Sequence, residues 1–346
     1  MNWKFYLSFS LLGLIFFLTI YPLYRFCALL SLDFFFRNSK KNKFWHFCSF
    51  LFPSLKAVEI KQDPKIYEKY TVLRDGARVR SNLIYNPKSK YFFITVHGLN
   101  GNIYDFFNFS KFAQKKGYSC LTWNFREWNS DKESTCKYHL NSLVNDIYDL
   151  IKAVQKQFPR QKIILFGYSL GAMLLTELIY KYPKLDTKVR LVLINYPTKK
   201  KMRLEHFFKF NSKGIFKLLK AFLFNKNFPL QILPQSSENE IILSDDKSFV
   251  SQKSEFPFYF FLSMFMLVSK VISNLESDKK HQILISLAAN EMFAEKKYIE
   301  SHQIRLKKHN SNISFWIRFE SKHHFPLVSE KREYFFNELI SRIIKK

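Results

Sequence analysis

Ser169 stands in Gly167-Tyr168-Ser169-Leu170-Gly171, between an apolar run at 162–166 and another at 172–175. A hydroxyl is a poor nucleophile until a neighbouring base takes its proton. It also has to be lifted clear of the chain around it. A short buried strand, a sharp G-x-S-x-G turn and an apolar helix do this, because the turn forces the serine to its crest. The turn is tight enough to strain the serine backbone, and Gly167 and Gly171 leave room where a side chain would strike the facing strand or helix. The N–H of Leu170, at the start of the helix, is aimed at the same point. The motif by itself is common, so the flanks and the rest of the chain decide its meaning.

An active serine needs an imidazole to move its proton and an acid to orient that imidazole. Glu291 follows the apolar run 282–288, in Ala289-Asn290-Glu291-Met292-Phe293. His323 and His324 follow the run 313–319, in Glu320-Ser321-Lys322-His323-His324-Phe325. If both runs are strands of the sheet that carries Ser169, all three groups share its carboxyl edge. A further apolar run, 91–96, ends in His97-Gly98-Leu99-Asn100-Gly101. His139 suits a surface or helix-capping role. His46, His206, His281, His302 and His309 show no partner pattern and are expected to be solvated. The four cysteines, Cys27, Cys48, Cys120 and Cys136, lack C-x-x-C spacing, so neither a disulfide framework nor a zinc site is implied. There is no metal-ligand spacing or Gly-rich phosphate loop, and no cofactor is expected.

The elements that must position these groups are legible from residue 70 onward. Extended segments at 70–73 and 78–85 flank Asp75-Gly76, a hairpin signal. Strands are expected at 91–96, 118–123, 162–167, 189–195, 282–288 and 313–319. Helices are expected at 105–116, at 140–158, from the serine to about 182, and at 328–344. Alternation of this kind predicts an α/β domain with a mainly parallel, doubly wound sheet. The regularity breaks over 198–281, which holds a basic aromatic segment (199–227), a polar stretch (235–248) and an apolar helical run (256–272). That last run is short for a membrane span, so the whole insertion is expected to form a helical lid.

Residues 5–24 carry no charge over twenty positions, enough for a helix to cross a hydrocarbon core of about 30 Å. Trp3, Tyr6, Tyr21 and Tyr24 sit near its ends, where amphipathic rings prefer the interface. A cleaved signal peptide is disfavoured by the length of the run and the lack of a small-x-small site after it. The expected organisation is an anchor at 1–32, a juxtamembrane connector at 33–69 and a catalytic domain at 70–346. The flank after the span, with Arg25, Arg37, Lys40, Lys41 and Lys43, is more basic than the flank before it. The positive-inside rule then puts the domain on the cytoplasmic side. The formal net charge is +27. No nucleic-acid-binding pattern accompanies it, and with 40 phenylalanines it fits a protein that works beside an anionic lipid surface.

From about residue 70 to its end the chain resembles the α/β-hydrolase superfamily. Gln157-Phe158-Pro159, Trp123-Asn124-Phe125-Arg126 and the segment 166–175 are similar to the membrane-anchored α/β-hydrolase-domain esterases and phospholipases. Residues 291–297 and 324–332 are similar to the lysophospholipase and monoglyceride-lipase branch. The resemblance implies a serine hydrolase of lipid or lipid-like carboxylic esters. Ser169 would be the nucleophile, His324 rather than His323 the base, and Glu291 the orienting acid. The N–H groups of Leu99 and Leu170 would form the oxyanion hole, with His97 holding its loop through hydrogen bonds. Glu127 replaces a common Gly, Ala172 a second Gly, and Glu291 the usual Asp, with Asp245 and Asp246 as fallback acids. The rival readings are a thioesterase, an acyltransferase or a serine peptidase on the same triad, and an inactive hydrolase fold kept as a membrane-surface binding module.

Overall fold

The computed structural model describes residues 69–73, 78–99, 101, 103–126, 139–196, 227–229, 255–288, 296–318 and 332–345. All of them belong to the second of the two units into which the chain divides, Lys56–Lys346. The expected anchor, the connector up to residue 68, and the segments 199–226 and 235–248 lie outside the described residues.

Eight strands form one sheet. In chain order they are β1 (Lys69–Val72), β2 (Arg78–Ile84), β3 (Tyr91–Val96), β4 (Ser119–Trp123), β5 (Lys162–Tyr168), β6 (Arg190–Ile194), β9 (Ile283–Ala288) and β10 (Ile313–Arg318). A separate antiparallel pair comprises β7 (Asn227–Pro229) and β8 (Glu255–Pro257). The spatial order of the large sheet is β1-β2-β4-β3-β5-β6-β9-β10. β1 and β2 pair antiparallel, as do β2 and β4, while the pairs from β4 across to β10 are all parallel. Strands covered on both faces read as continuous apolar runs. β4 and β9 are buried at every position, and β5 at every position after Lys162.

Crossover direction decides which face each helix covers. The step from β3 through α1 (Phe107–Lys115) to β4 runs one way along the sheet. The steps through α2 (Leu140–Gln157), α3 (Leu170–Lys181), α4 (Phe258–Ser277) and α5 (Lys296–His309) run the other way. Right-handed connections in opposite directions put their helices on opposite faces. The cores follow: Phe92, Ile94, Val96, Ile163 and Leu165 pack with the α2, α3 and α4 side. Phe93, Ile164 and Phe166 pack with α1 and with α6 (Arg332–Ile344).

Each helix has a local cause. α2 buries Leu140, Leu143, Val144, Ile147, Leu150, Ile151 and Val154, the three-and-four spacing of one helical face. It opens on His139, whose Nδ1 accepts the Asn141 N–H at 3.1 Å, which is the capping role expected of that histidine. α1 ends at Gly117, whose φ of 74° turns the chain into β4.

The apolar run expected to close the lid is instead a helix of the domain. α4 buries Phe260, Met264, Leu267, Val271 and Leu275, and packs against α3, α2 and α5. The expected lid boundary at 281 therefore runs too far, because α4 supplies the crossover between β6 and β9. No helix among the described residues is long and apolar enough to cross a membrane.

Candidate active site

Ser169 joins β5 to α3 at φ 51° and ψ −114°, a region that residues with a Cβ seldom occupy. Such strain costs on the order of 1–3 kcal/mol and persists only where the surroundings enforce it. They do so here. The Ser169 N–H donates to the Ile194 carbonyl at 2.9 Å, and α3 is buried along most of its length. A Cβ on Gly171 would lie 2.0 Å from the Val96 carbonyl oxygen, and one on Gly167 2.8 Å from the Ala172 nitrogen. The turn closes because neither exists. The Ser169 side chain is half-buried and does not cap α3.

The loop after β3 lies against this crest. A Cβ on Gly98 would come within 2.9 Å of the Tyr168 ring and 3.2 Å of the Ser169 Cβ. Leu99 follows Gly98 in a turn closed by the Gly101 N–H on the Gly98 carbonyl at 3.1 Å. Leu170 opens α3, and the first N–H groups of a helix have no acceptor within it. Leu99 and Leu170 thus stand on two abutting turns, Leu170 directly after Ser169 and Leu99 directly after Gly98.

His97 holds the loop, as expected. Its Nε2 accepts the Phe125 N–H at 3.1 Å, so the ring proton sits on Nδ1, which donates to the Gly98 carbonyl at 2.9 Å. The ring is buried and lies 3.8 Å from the Phe125 ring centre. Burial drives its pKa down to about 3, against the opposing pull of the Gly98 carbonyl, so the imidazole is neutral. Asn124 adds a second tie, its Oδ1 accepting the Ile103 N–H at 2.5 Å. The segment is anchored in turn by Arg126, which grips the Asp146 carboxylate of α2 with two donors, its Nε at 2.7 Å from Oδ2. Both side chains are almost wholly buried. Sequence reasoning treated Arg126 only as part of a motif and did not pair it with Asp146. No spacing rule links two residues twenty apart, and only the fold shows the pairing that lets both charges be buried.

The strand register sets the edge on which the groups converge. Val96 pairs with Gly167, Tyr168 with Ile194, Ile194 with Ser286, and Ala288 with Arg318. The ends of β3, β5, β6, β9 and β10 therefore lie along one edge of the sheet, whose order reverses between β3 and β5. Glu291 comes three residues after the end of β9 and His324 six after β10. Glu291, His323, His324, Asp245 and Asp246 lie outside the described residues.

Residues 91–263 match the family described as alpha/beta hydrolase fold, which is half of the chain. The chain belongs to the α/β-hydrolase fold family. Among solved structures, this hydrolase is similar to the Paleococcus ferrophilus monoacylglycerol lipase, at 14% identity and a TM-score of 0.56, over 77% of this chain and 98% of that one. It is also similar to an esterase from Exiguobacterium antarcticum, at 14% identity and TM-score 0.54, over 80% of this chain and 98% of that one. A Pyrococcus furiosus esterase aligns at 16% identity and TM-score 0.51, over 84% and 99%. At these identities the likeness is one of fold. No curated protein matches the hydrolase by sequence.

Two expectations about isolated histidines need correction. His281 is buried, with Nδ1 2.9 Å from Asp278 Oδ1, because it closes the turn between α4 and β9. His302 is half-buried on α5, its ring parallel to that of Tyr196, and burial lowers its pKa to about 4. His309 is exposed, as expected, while His46 and His206 lie outside the described residues. Cys120 is buried in β4, where burial pushes its thiol pKa up and keeps it inert. No three metal-ligating side chains converge among the described residues. Two surface depressions, one along α5 at Ile304 and one beside Tyr148, do not include Ser169 in their linings. The first holds Ser301, Glu300 and His309 and the second Thr71 and Asp149, but neither presents its hydroxyl on a strained strand-to-helix turn as Ser169 does.

Proposed function

We propose that this hydrolase cleaves a carboxylic ester of a lipid or lipid-like substrate through an acyl-enzyme on Ser169. The carrying observation is the Ser169 backbone at φ 51°, pressed against the Gly98 turn at the carboxyl edge of the sheet. A strained crest of this kind presents a hydroxyl beside two turns of backbone donors. In this reading Ser169 Oγ attacks the acyl carbon while His324 takes its proton. The N–H groups of Leu99 and Leu170 hold the oxyanion, each donor being worth on the order of 10²–10³ in rate. Glu291 keeps the imidazole oriented and stabilises its charged form. The alcohol leaves with the proton from His324, and water then releases the acyl group by the same steps. Lipid-like esters are favoured by the esterase and lipase neighbours, by the aromatic-rich composition, and by residues 5–24, proposed as a single membrane anchor with the domain facing the cytoplasm. The segment between β6 and α4 is proposed as the lid.

The test is covalent labelling by a fluorophosphonate, with turnover on a panel of lysophospholipids, monoacylglycerols, short p-nitrophenyl esters and acyl-CoAs. Ser169→Ala is expected to abolish labelling and lower turnover by on the order of 10⁵–10⁶. A variant that keeps a tenth of wild-type turnover and still labels would move the nucleophile elsewhere. A wild-type protein that takes up no label would make this an inactive hydrolase fold.

A further inference from the structure

Asn195 is the first residue beyond β6, and it is fully buried. Its φ of 46° makes it, with Ser169, one of the two non-glycine residues in the left-handed region among the described residues. Asparagine tolerates that region better than most side chains. Strain at a buried polar residue points to something that the conformation secures.

What it secures is a set of bonds across three strand ends. The Asn195 N–H donates to the Ser286 carbonyl at 2.9 Å. Its Oδ1 accepts the Ala288 N–H at 2.9 Å and the Arg318 Nη2 at 2.7 Å. Arg318 Nε reaches Ser286 Oγ at 3.3 Å, and its guanidinium lies 5.0 Å from the Phe335 ring centre of α6. Immediately upstream, the Ile194 carbonyl accepts the Ser169 N–H. β6 and β10 are not neighbours in the sheet, since β9 lies between them. No ladder bond joins them, and the Asn195 side chain does.

The positions so joined are specific. Ala288 is the last residue before the segment that holds Glu291, and Arg318 the last before the segment that holds His324. We propose that Asn195, with Arg318, is a positioning pair that fixes the roots of the acid-bearing and histidine-bearing loops relative to Ser169. This rests on the triad reading above. Two oxygen-accepted bonds from separate strand ends, one of them charge-assisted, leave little freedom for one root to slide against the other. In this proposal both act through the loops and not on the substrate. A displacement of about 1 Å between catalytic groups can cost on the order of 10² in rate.

The full-length protein in detergent is assayed on p-nitrophenyl butyrate. Asn195→Gly keeps the left-handed backbone and removes the side chain. It is expected to lower kcat about 10–100-fold with KM changed less than about threefold. Its acid limb of kcat/KM should move to lower pH, because a carboxylate held less closely raises the imidazole pKa less. Asn195→Asp retains the accepting oxygen and is expected to recover most of the rate. Arg318→Met keeps a stem against Phe335, loses the donors, and should reproduce the kcat loss. The double variant should lose no more than the worse single one, since the two act as a unit.

Normal kcat and pH profile in folded Asn195→Gly and Arg318→Met, with Ser169→Ala inactive, would overturn the proposal and leave the triad reading intact. An active Ser169→Ala would instead remove the triad reading. If Asn195→Gly does not fold, Arg318→Met decides. If neither folds, the pair serves the fold rather than the site, and the proposal falls.

Discussion

A histidine kept neutral in the interior makes the folded state sensitive to acid. The pKa of His97 falls to about 3 and that of His302 to about 4, both chiefly through burial. Between those values and the ordinary value near 6.5, the unfolded chain binds protons that the folded chain refuses. Stability therefore falls as pH drops through that window, by up to about 1.4 kcal/mol per pH unit for His97. Urea midpoints measured from pH 7.5 to 4.5 should decline in the wild type. His97→Gln should start lower, having lost its two-sided hold on Phe125 and Gly98, and decline with a slope smaller by about one proton. An unchanged slope would mean that His97 is charged in the folded protein. Among the proposed catalytic groups, His324→Ala should approach Ser169→Ala in turnover, with His323→Ala losing far less. The reverse would move the base by one residue. Glu291→Gln keeps the shape and removes the charge that stabilises the imidazolium. A large turnover loss at unchanged melting temperature is expected, and near-normal turnover would return the role to Asp245 or Asp246.

At the scale of elements, α4 separates two readings that the sequence could not. Leu275 is fully buried near its end, where α4 packs on α3. In a domain helix, Leu275→Ala leaves a cavity and should cost about 2–5 kcal/mol. Thermal unfolding should drop by several degrees with kcat on a soluble ester retained at permissive temperature. A lid helix would show the opposite, altered substrate preference with unchanged melting. The strands β3, β5 and β9 and the helix α2 were legible because each has a clean apolar run or a clean helical stripe. α5 left no such trace. It buries only Ile299 and Leu306, exposes Ile304, and carries Lys or Arg at five of its other eleven positions, so its pattern resembles a solvated linker. The elbow was legible because its geometry demands Gly at two fixed places. Asn195 was not, because an asparagine at a strand end is an ordinary turn residue, and only the folded chain shows which ends it joins. The same holds for Arg126 and Asp146, twenty residues apart and without any spacing rule.

For the whole molecule the open physical question is what a formal charge of +27 meets. The described sheet begins at Lys69, and its cores are built from residues 73 onward. Removing residues 1–32 should therefore leave a folded hydrolase with its turnover on a short soluble ester intact. That excised segment holds only Lys4 and Arg25 as charged residues, so the remaining chain stays strongly basic. Lys199, Lys200, Lys201 and Arg203 begin a run that continues through Lys209, Lys213, Lys217 and Lys220, interleaved with Phe207, Phe208, Phe210 and Phe216. Each basic residue near an anionic surface contributes roughly 1 kcal/mol, a term that salt weakens. Rings beside them can enter the headgroup boundary. The truncated protein should thus cosediment with phosphatidylserine vesicles at low salt and release at high salt. Neutralising 199–203 should weaken that binding and lower activity on a bilayer ester, leaving the soluble ester untouched. Absence of binding, or equal loss on both substrates, would mean that the run shapes the substrate pocket and the anchor alone reaches the membrane.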